Sequence, residues 1–202
     1  LKEAGFNAVR SSRYPMSRCL LEACDRQGML VMEEFSDVWT STKVDFDYGA
    51  NMTDWWEHDV ECMVNKDYNH PCVIMYSIGN EIPEIGRRSG SRRNRQLAAE
   101  LRKLDDTRLI TCSFNGFLAA ADAMAKMAQR MAGQADRNPE EAGKTSPEES
   151  GGSESLNAAM GGTQKEMMDA FAASPLLGEC LEEASCELDV TGYNYLTARH
   201  TL

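Results

Sequence analysis

The sequence predicts an α/β fold built as a (β/α)8 barrel, here an incomplete one. Three observations carry that reading. Short apolar runs alternate with helix-patterned segments from the first residue to the last, and parallel strands need crossover helices of this kind. Polar groups gather where the apolar runs end, at Arg10 and Arg13, Glu33 and Glu34, Asn80 and Glu81, Asn115, then Asn194 and Tyr195. Chemistry spread over the C-terminal ends of many strands belongs to barrels. A doubly wound sheet fits the same count of elements, but it binds at one switch point, often through a Gly-rich phosphate loop, and no G-x-G-x-x-G or Walker pattern occurs.

The elements follow in order. Phe6-Asn7-Ala8-Val9-Arg10 is a strand candidate. Pro15 and Ser17 lead into a helix through Cys19-Leu20-Leu21-Glu22-Ala23-Cys24 that Gly28 stops. Met29-Leu30-Val31-Met32 reads as a buried strand ending in Glu33-Glu34, followed by an irregular loop from Phe35 to about Met52. Thr53 and Asp54 are expected to open the next helix, on which Trp56, Val60, Met63 and Val64 recur at helical spacing. Asn69-His70-Pro71 ends it, because the residue before proline is driven out of the helical region. Cys72-Val73-Ile74-Met75-Tyr76-Ser77-Ile78 is the most strand-like run, and it closes on Gly79-Asn80-Glu81.

A basic helix is expected over 92–104, a strand over Leu109-Ile110-Thr111-Cys112-Ser113-Phe114, and an Ala/Met-rich helix over 118–132. Met124, Met127 and Met131 recur on it at core-packing intervals. Residues 133–155 are rich in Pro, Gly, Ser and Glu with no apolar period, which predicts a disordered insertion within a single domain spanning 1–202. Helical patterning over 164–171 and 176–186 leads to a last strand at Leu188-Asp189-Val190-Thr191-Gly192-Tyr193-Asn194-Tyr195.

Composition narrows the function. A hydrophobic fraction of 42% with 26% charged residues is that of a soluble globular protein. A net charge of −11 disfavours nucleic acid, which needs Lys and Arg against phosphate. No apolar run is long enough to span a membrane. Seven cysteines show neither C-x-x-C nor zinc-type spacing, so they are expected to be reduced, structural and cytoplasmic, and no metal site is expected. The chain opens at Leu1 and stops just after an apolar stretch, so it is expected to be part of a longer protein.

Glu81 is the leading candidate for chemistry. A carboxyl at a barrel mouth is costly unless paired or used, and one there suits general acid catalysis. A solvated or Arg-paired Glu is the competing reading from the residues alone. The run from Asn69 to Glu81, Asn-His-Pro-Cys-Val-Ile-Met-Tyr-Ser-Ile-Gly-Asn-Glu, resembles the acid/base signature of family 2 glycoside hydrolases, a group that includes β-galactosidases. Asn7-Ala8-Val9-Arg10, Cys24 to Val31, Trp55-Trp56 and the closing strand extend the resemblance over nearly the whole chain.

The resemblance implies a retaining exo-β-glycosidase, with β-galactosides the expected substrates and β-glucuronidase or β-mannosidase as alternatives. Its mechanism needs no cofactor. Glu81 matches the acid/base and Asn80 the neighbour that bonds the sugar 2-hydroxyl. Arg10 matches the strand Arg that holds the nucleophile ionised, and Tyr195 the Tyr that contacts it. The nucleophile itself is implied at the end of a seventh strand beyond Leu202, with the first and eighth strands also missing. The isolated chain is therefore expected to be inactive, of marginal stability and open at two edges; a non-catalytic carbohydrate-binding remnant is the rival reading.

Ser12-Arg13-Tyr14-Pro15 departs from the family, which carries a His where Arg13 stands in contact with substrate. Glu34 and Asp37 either reach sugar hydroxyls or serve at the rim, and Trp39 either stacks on a sugar or fills core. His58 and His70 read as structural.

Overall fold

The computed structural model describes residues 1–135 and 170–195. Of the insertion expected at 133–155, the first three residues belong to a helix; the remainder, and most of the helix expected at 164–171, lie outside them. After a single 3-10 turn at Lys2–Ala4, the order is β1 (Ala8–Arg10), α1 (Arg18–Gln27), β2 (Leu30–Glu34), α2 (Gly49–Asp67), β3 (Val73–Asn80), α3 (Arg88–Leu104), β4 (Leu109–Asn115), α4 (Gly116–Ala135), α5 (Pro175–Ser185) and β5 (Val190–Asn194). The strands form one parallel sheet in sequential order, β1-β2-β3-β4-β5. That order is the one a curling barrel wall requires, and a doubly wound sheet would break it. The five strands are the part of a TIM barrel present here.

Local chemistry sets the boundaries. The Ser17 hydroxyl accepts from Leu20 N–H at 3.4 Å to start α1. Gly28, at φ 62°, ends it in the left-handed conformation that favours glycine. α2 begins at Gly49, ahead of the expected Thr53. Asp47 is the reason: its carboxylate accepts from Gly49 N–H at 2.9 Å and from Lys43 N–H at 2.6 Å, so loop and helix start are tied by one side chain. α3 likewise starts at Arg88 rather than 92, because Glu84 and Arg87 carbonyls and the close packing of Gly90 on the Glu84 backbone seat its first turn.

The core lies between the sheet and the helices. Val31, Tyr76, Ile78, Ile110, Cys112 and Phe114 from the strands meet Leu21, Val60, Met63, Leu97, Leu101, Leu177 and Leu181 from the helices, all nearly free of solvent. Trp56, Val60, Met63 and Val64 are buried on α2 as their spacing predicts. The opposite face of the sheet carries half-exposed Leu30, Ile74, Leu109 and Val190 near its N-terminal end. In a closed barrel that face is the packed interior.

Two expectations need correction. Cys19, Cys62 and Cys186 are exposed and only Cys24, Cys72 and Cys112 are buried, because helix α1 turns Cys19 outward while Cys24 falls on its inner side. Met124 is also exposed, so the Met stripe does not all enter the core; the side chains of Met127 and Met131 lie outside the described residues.

Candidate active site

The C-terminal ends of the strands bring charged and amide side chains together. Register alternation puts Arg10, Glu34, Ser77, Ser113 and Asn194 on the inner face, and irregular pairing between Ser77 and Asn80 re-aims the end of β3. Gly79 permits this: a Cβ there would meet Ile82 at 2.8 Å and Cys112 Sγ at 3.2 Å. Glu81 follows in the left-handed region at φ 52°, held by its N–H donating to the Ser113 carbonyl at 2.8 Å. Among the described residues, five non-glycine residues have positive φ, and four of them (Ser12, Arg13, Glu81 and Tyr195) stand at these strand ends. Backbone strain of this kind collects at functional sites.

Arg10 donates to Asn80 Oδ1 at 2.6 Å and its Nε lies 3.1 Å from Glu34 Oε2. The Nε–H is not aimed at that oxygen, so the contact is an ion pair without hydrogen-bond geometry. Glu34 has no exposed surface. Its carboxylate accepts from Ser77 Oγ at 3.0 Å, from Arg10 Nη2 and from the Arg13 backbone N–H. Buried and holding three donors, Glu34 anchors Arg10 and the 11–13 turn. Of its two sequence readings, this geometry favours the rim role.

Asn194 bridges the pair that carries the signature: its Nδ2 donates to Glu81 Oε1 at 3.0 Å and to Asn80 Oδ1 at 3.1 Å. The Tyr195 hydroxyl also bonds Glu81, and burial together with that carboxylate pushes the phenol above its ordinary pKa. Asn80 Oδ1 thus accepts twice, which leaves its amide Nδ2 as the donor available to a ligand. Arg13 projects into the same space with most of its side chain exposed, 3.8 Å from Asp37 Oδ2.

Trp39 does not join them. It is fully buried and donates Nε1–H to the Ile78 carbonyl at 3.0 Å, so it fills core and the sugar-stacking alternative fails for lack of a free ring face. Arg10, Arg13, Asn80, Glu81, Glu34 and Tyr195 are brought together.

Lys43 escaped sequence reasoning. It reaches from the β2–α2 loop to donate to the Asn80 carbonyl at 3.0 Å and lies 3.7 Å from Asp37. Burial lowers its pKa, against the pull of Asp37 and Glu81. Glu84 braces the same loop by accepting from Thr40 N–H at 2.7 Å, Thr40 Oγ1 at 2.9 Å and Ser41 N–H at 3.1 Å. An irregular loop has no period to read, so Lys43 left no signal; Asn194 did, standing beside Tyr195 at a strand end.

Comparison with known proteins bears on this arrangement. The family profile described as glycosyl hydrolases family 2, TIM barrel domain, matches residues 1–154. The β-galactosidase BoGH2A of Bacteroides ovatus is 44% identical over 84 residues, 42% of this chain and 10% of that protein. A putative β-glucuronidase of Formosa agariphila is 37% identical over 112 residues, 55% of this chain and 10% of its own length. Among solved structures, a family 2 member from Bacteroides cellulosilyticus superposes with TM-score 0.57 at 38% identity, covering 68% of this chain and 19% of that one. A β-glycosidase from Bacteroides vulgatus does so with TM-score 0.53 at 32% identity over 57% of this chain and 16% of that one. The chain thus spans about a tenth to a fifth of the relatives it matches.

Proposed function

The chain belongs to glycosyl hydrolase family 2, and from that premise we propose that it supplies the acid/base half of a retaining β-glycosidase site. The observation that carries this reading is the network at the barrel mouth in which Asn194 and Tyr195 bond Glu81 while Arg10 and Asn194 bond its neighbour Asn80. Glu81 protonates the glycosidic oxygen as the bond to the anomeric carbon breaks, while a second carboxylate about 5–5.5 Å away attacks that carbon. The same Glu81 carboxylate then takes a proton from water as it hydrolyses the glycosyl-enzyme. Asn80 Nδ2 donates to the sugar 2-hydroxyl, and Arg10, fixed by Glu34, keeps the nucleophile ionised. The family resemblance puts that nucleophile at the end of the seventh strand.

β-Galactosides are the proposed substrates, on the likeness to the Bacteroides ovatus enzyme. No cofactor takes part. No helix among the described residues is long and apolar enough to cross a membrane. The seven free thiols suit a reducing compartment, and the cytoplasm is the proposed location.

The test assays the enzyme carrying this segment against aryl β-galactosides, β-glucuronides and β-mannosides. Highest kcat/KM on the galactoside is expected. Glu81→Gln should lower it about 10²–10⁴-fold. Full activity in that variant would return the chain to a binding role.

A further inference from the structure

At the N-terminal end of the strands, away from the site above, three residues distant in sequence converge. Asp25 comes from the last turn of α1, His70 from the turn after α2, and Cys72 from the entry to β3. One ligand atom from each lies within 4.8 Å of the others. We propose that Asp25, His70 and Cys72 form a binding site for a thiophilic divalent cation of the zinc class, a proposal independent of the glycosidase reading.

The donor set fits that class. Thiolate, imidazole and carboxylate together select zinc-like ions over magnesium and calcium, which take oxygen ligands alone. Two anionic ligands and a neutral imidazole would balance the charge of a divalent ion, and water completes a tetrahedron. His70 Nδ1 and Asp25 Oδ2 are 2.6 Å apart, in a hydrogen bond. Zinc bonds of about 2.0–2.3 Å need them opened to roughly 3.3 Å and the sulfur drawn in, shifts of about 1 Å or less. His70 and Asp25 remain partly exposed, which gives an ion a way in.

The backbone that presents these ligands is already fixed. Cys72 N–H donates to Asp25 Oδ1 at 2.9 Å, His70 N–H to the Asp67 carbonyl at 2.8 Å, and Arg108 Nη2 to the His70 carbonyl at 3.2 Å. Outer contacts of this kind orient ligands in metal sites. Binding displaces one proton, from the Cys72 thiol to solvent.

The probe is Co²⁺ titrated into the intact chain, read by the near-ultraviolet sulfur-to-cobalt charge-transfer band and the visible bands of a tetrahedral ion. The wild type and Cys62→Ser should show both. The second variant removes the exposed thiol that pairs with His58 at 3.5 Å on α2. Cys72→Ser should lose the charge-transfer band, and His70→Gln should bind at least about tenfold more weakly. His70→Gln decides the matter if Cys72→Ser fails to fold. No charge-transfer band in the wild type, a band that survives in Cys72→Ser, or unchanged affinity in His70→Gln would each overturn the site.

Discussion

The two ends of the same five strands are built on opposite plans. At the C-terminal end, charged and amide groups from four strands and a loop gather around Asn80 and Glu81 and share acceptors, as Asn80 Oδ1 does between Arg10 and Asn194. At the N-terminal end, outside the Asp25–His70–Cys72 cluster, the polar groups of the α2–β3 turn close local backbone gaps. Arg108 donates to the carbonyls of Val73 at 2.8 Å, Tyr68 at 3.0 Å and His70 at 3.2 Å and pairs with Asp105, which ties the α2–β3 turn to the start of β4. One end spends strain and buried charge to aim side chains at a shared space; the other satisfies backbone groups that a helix terminus would leave unpaired. The difference separates residues whose loss should cost activity from those whose loss should cost stability.

Arg10→Met tests the division most severely, since it should do both. It strips the buried Glu34 carboxylate of its counter-ion and frees Asn80. Unfolding free energy should fall by about 2–4 kcal/mol, below the fully buried range because Arg10 keeps a third of its side chain exposed. Glycosidase activity should be lost with it. Arg108→Met should cost about 2–3 kcal/mol in denaturant unfolding with kcat/KM unchanged, as three carbonyls lose a donor. A fall in activity at equal foldedness would break the separation of the two ends.

Asp67 sharpens it further. It has no exposed surface, and burial, with Glu33 adding to it, raises its pKa to about 6 despite Lys66. A carboxyl with a raised folded-state pKa binds more protons folded than unfolded, so it lowers stability above pH 6 and the loss is recovered as pH falls from 6 towards 4. Asp67→Asn should remove that recovery, on the order of 2 kcal/mol, in urea titrations at pH 4.5 and 7.5. Trp39→Phe carries the smallest expected effect, about 1 kcal/mol for the lost bond to the Ile78 carbonyl, with KM unchanged. A marked rise in KM would restore Trp39 to the substrate.

Much of this was legible in the sequence. The β3 run, the α2 apolar face and the polar strand ends all follow from local periodicity, and they suffice for parallel topology and for Glu81 at a barrel mouth. Sequence could not assign Glu34 between sugar and rim, because that depends on Ser77 and Arg13 arriving at its two oxygens. Nor could it find Lys43, or Asp25 beside His70 and Cys72, whose meeting across 45 and 47 positions is made by the turn after α2. Helix starts were misjudged where a loop side chain, Asp47, supplied the cap.

The most direct test of Glu81 uses leaving groups of graded acidity. A proton donor matters most when the departing oxygen is basic and least when it leaves as a stable phenolate. In the enzyme carrying this segment, Glu81→Gln should depress kcat/KM by about 10³-fold on alkyl β-galactosides. On dinitrophenyl β-galactoside the loss should be slight. An equal loss on both would show that Glu81 does not deliver the proton and would contradict the account.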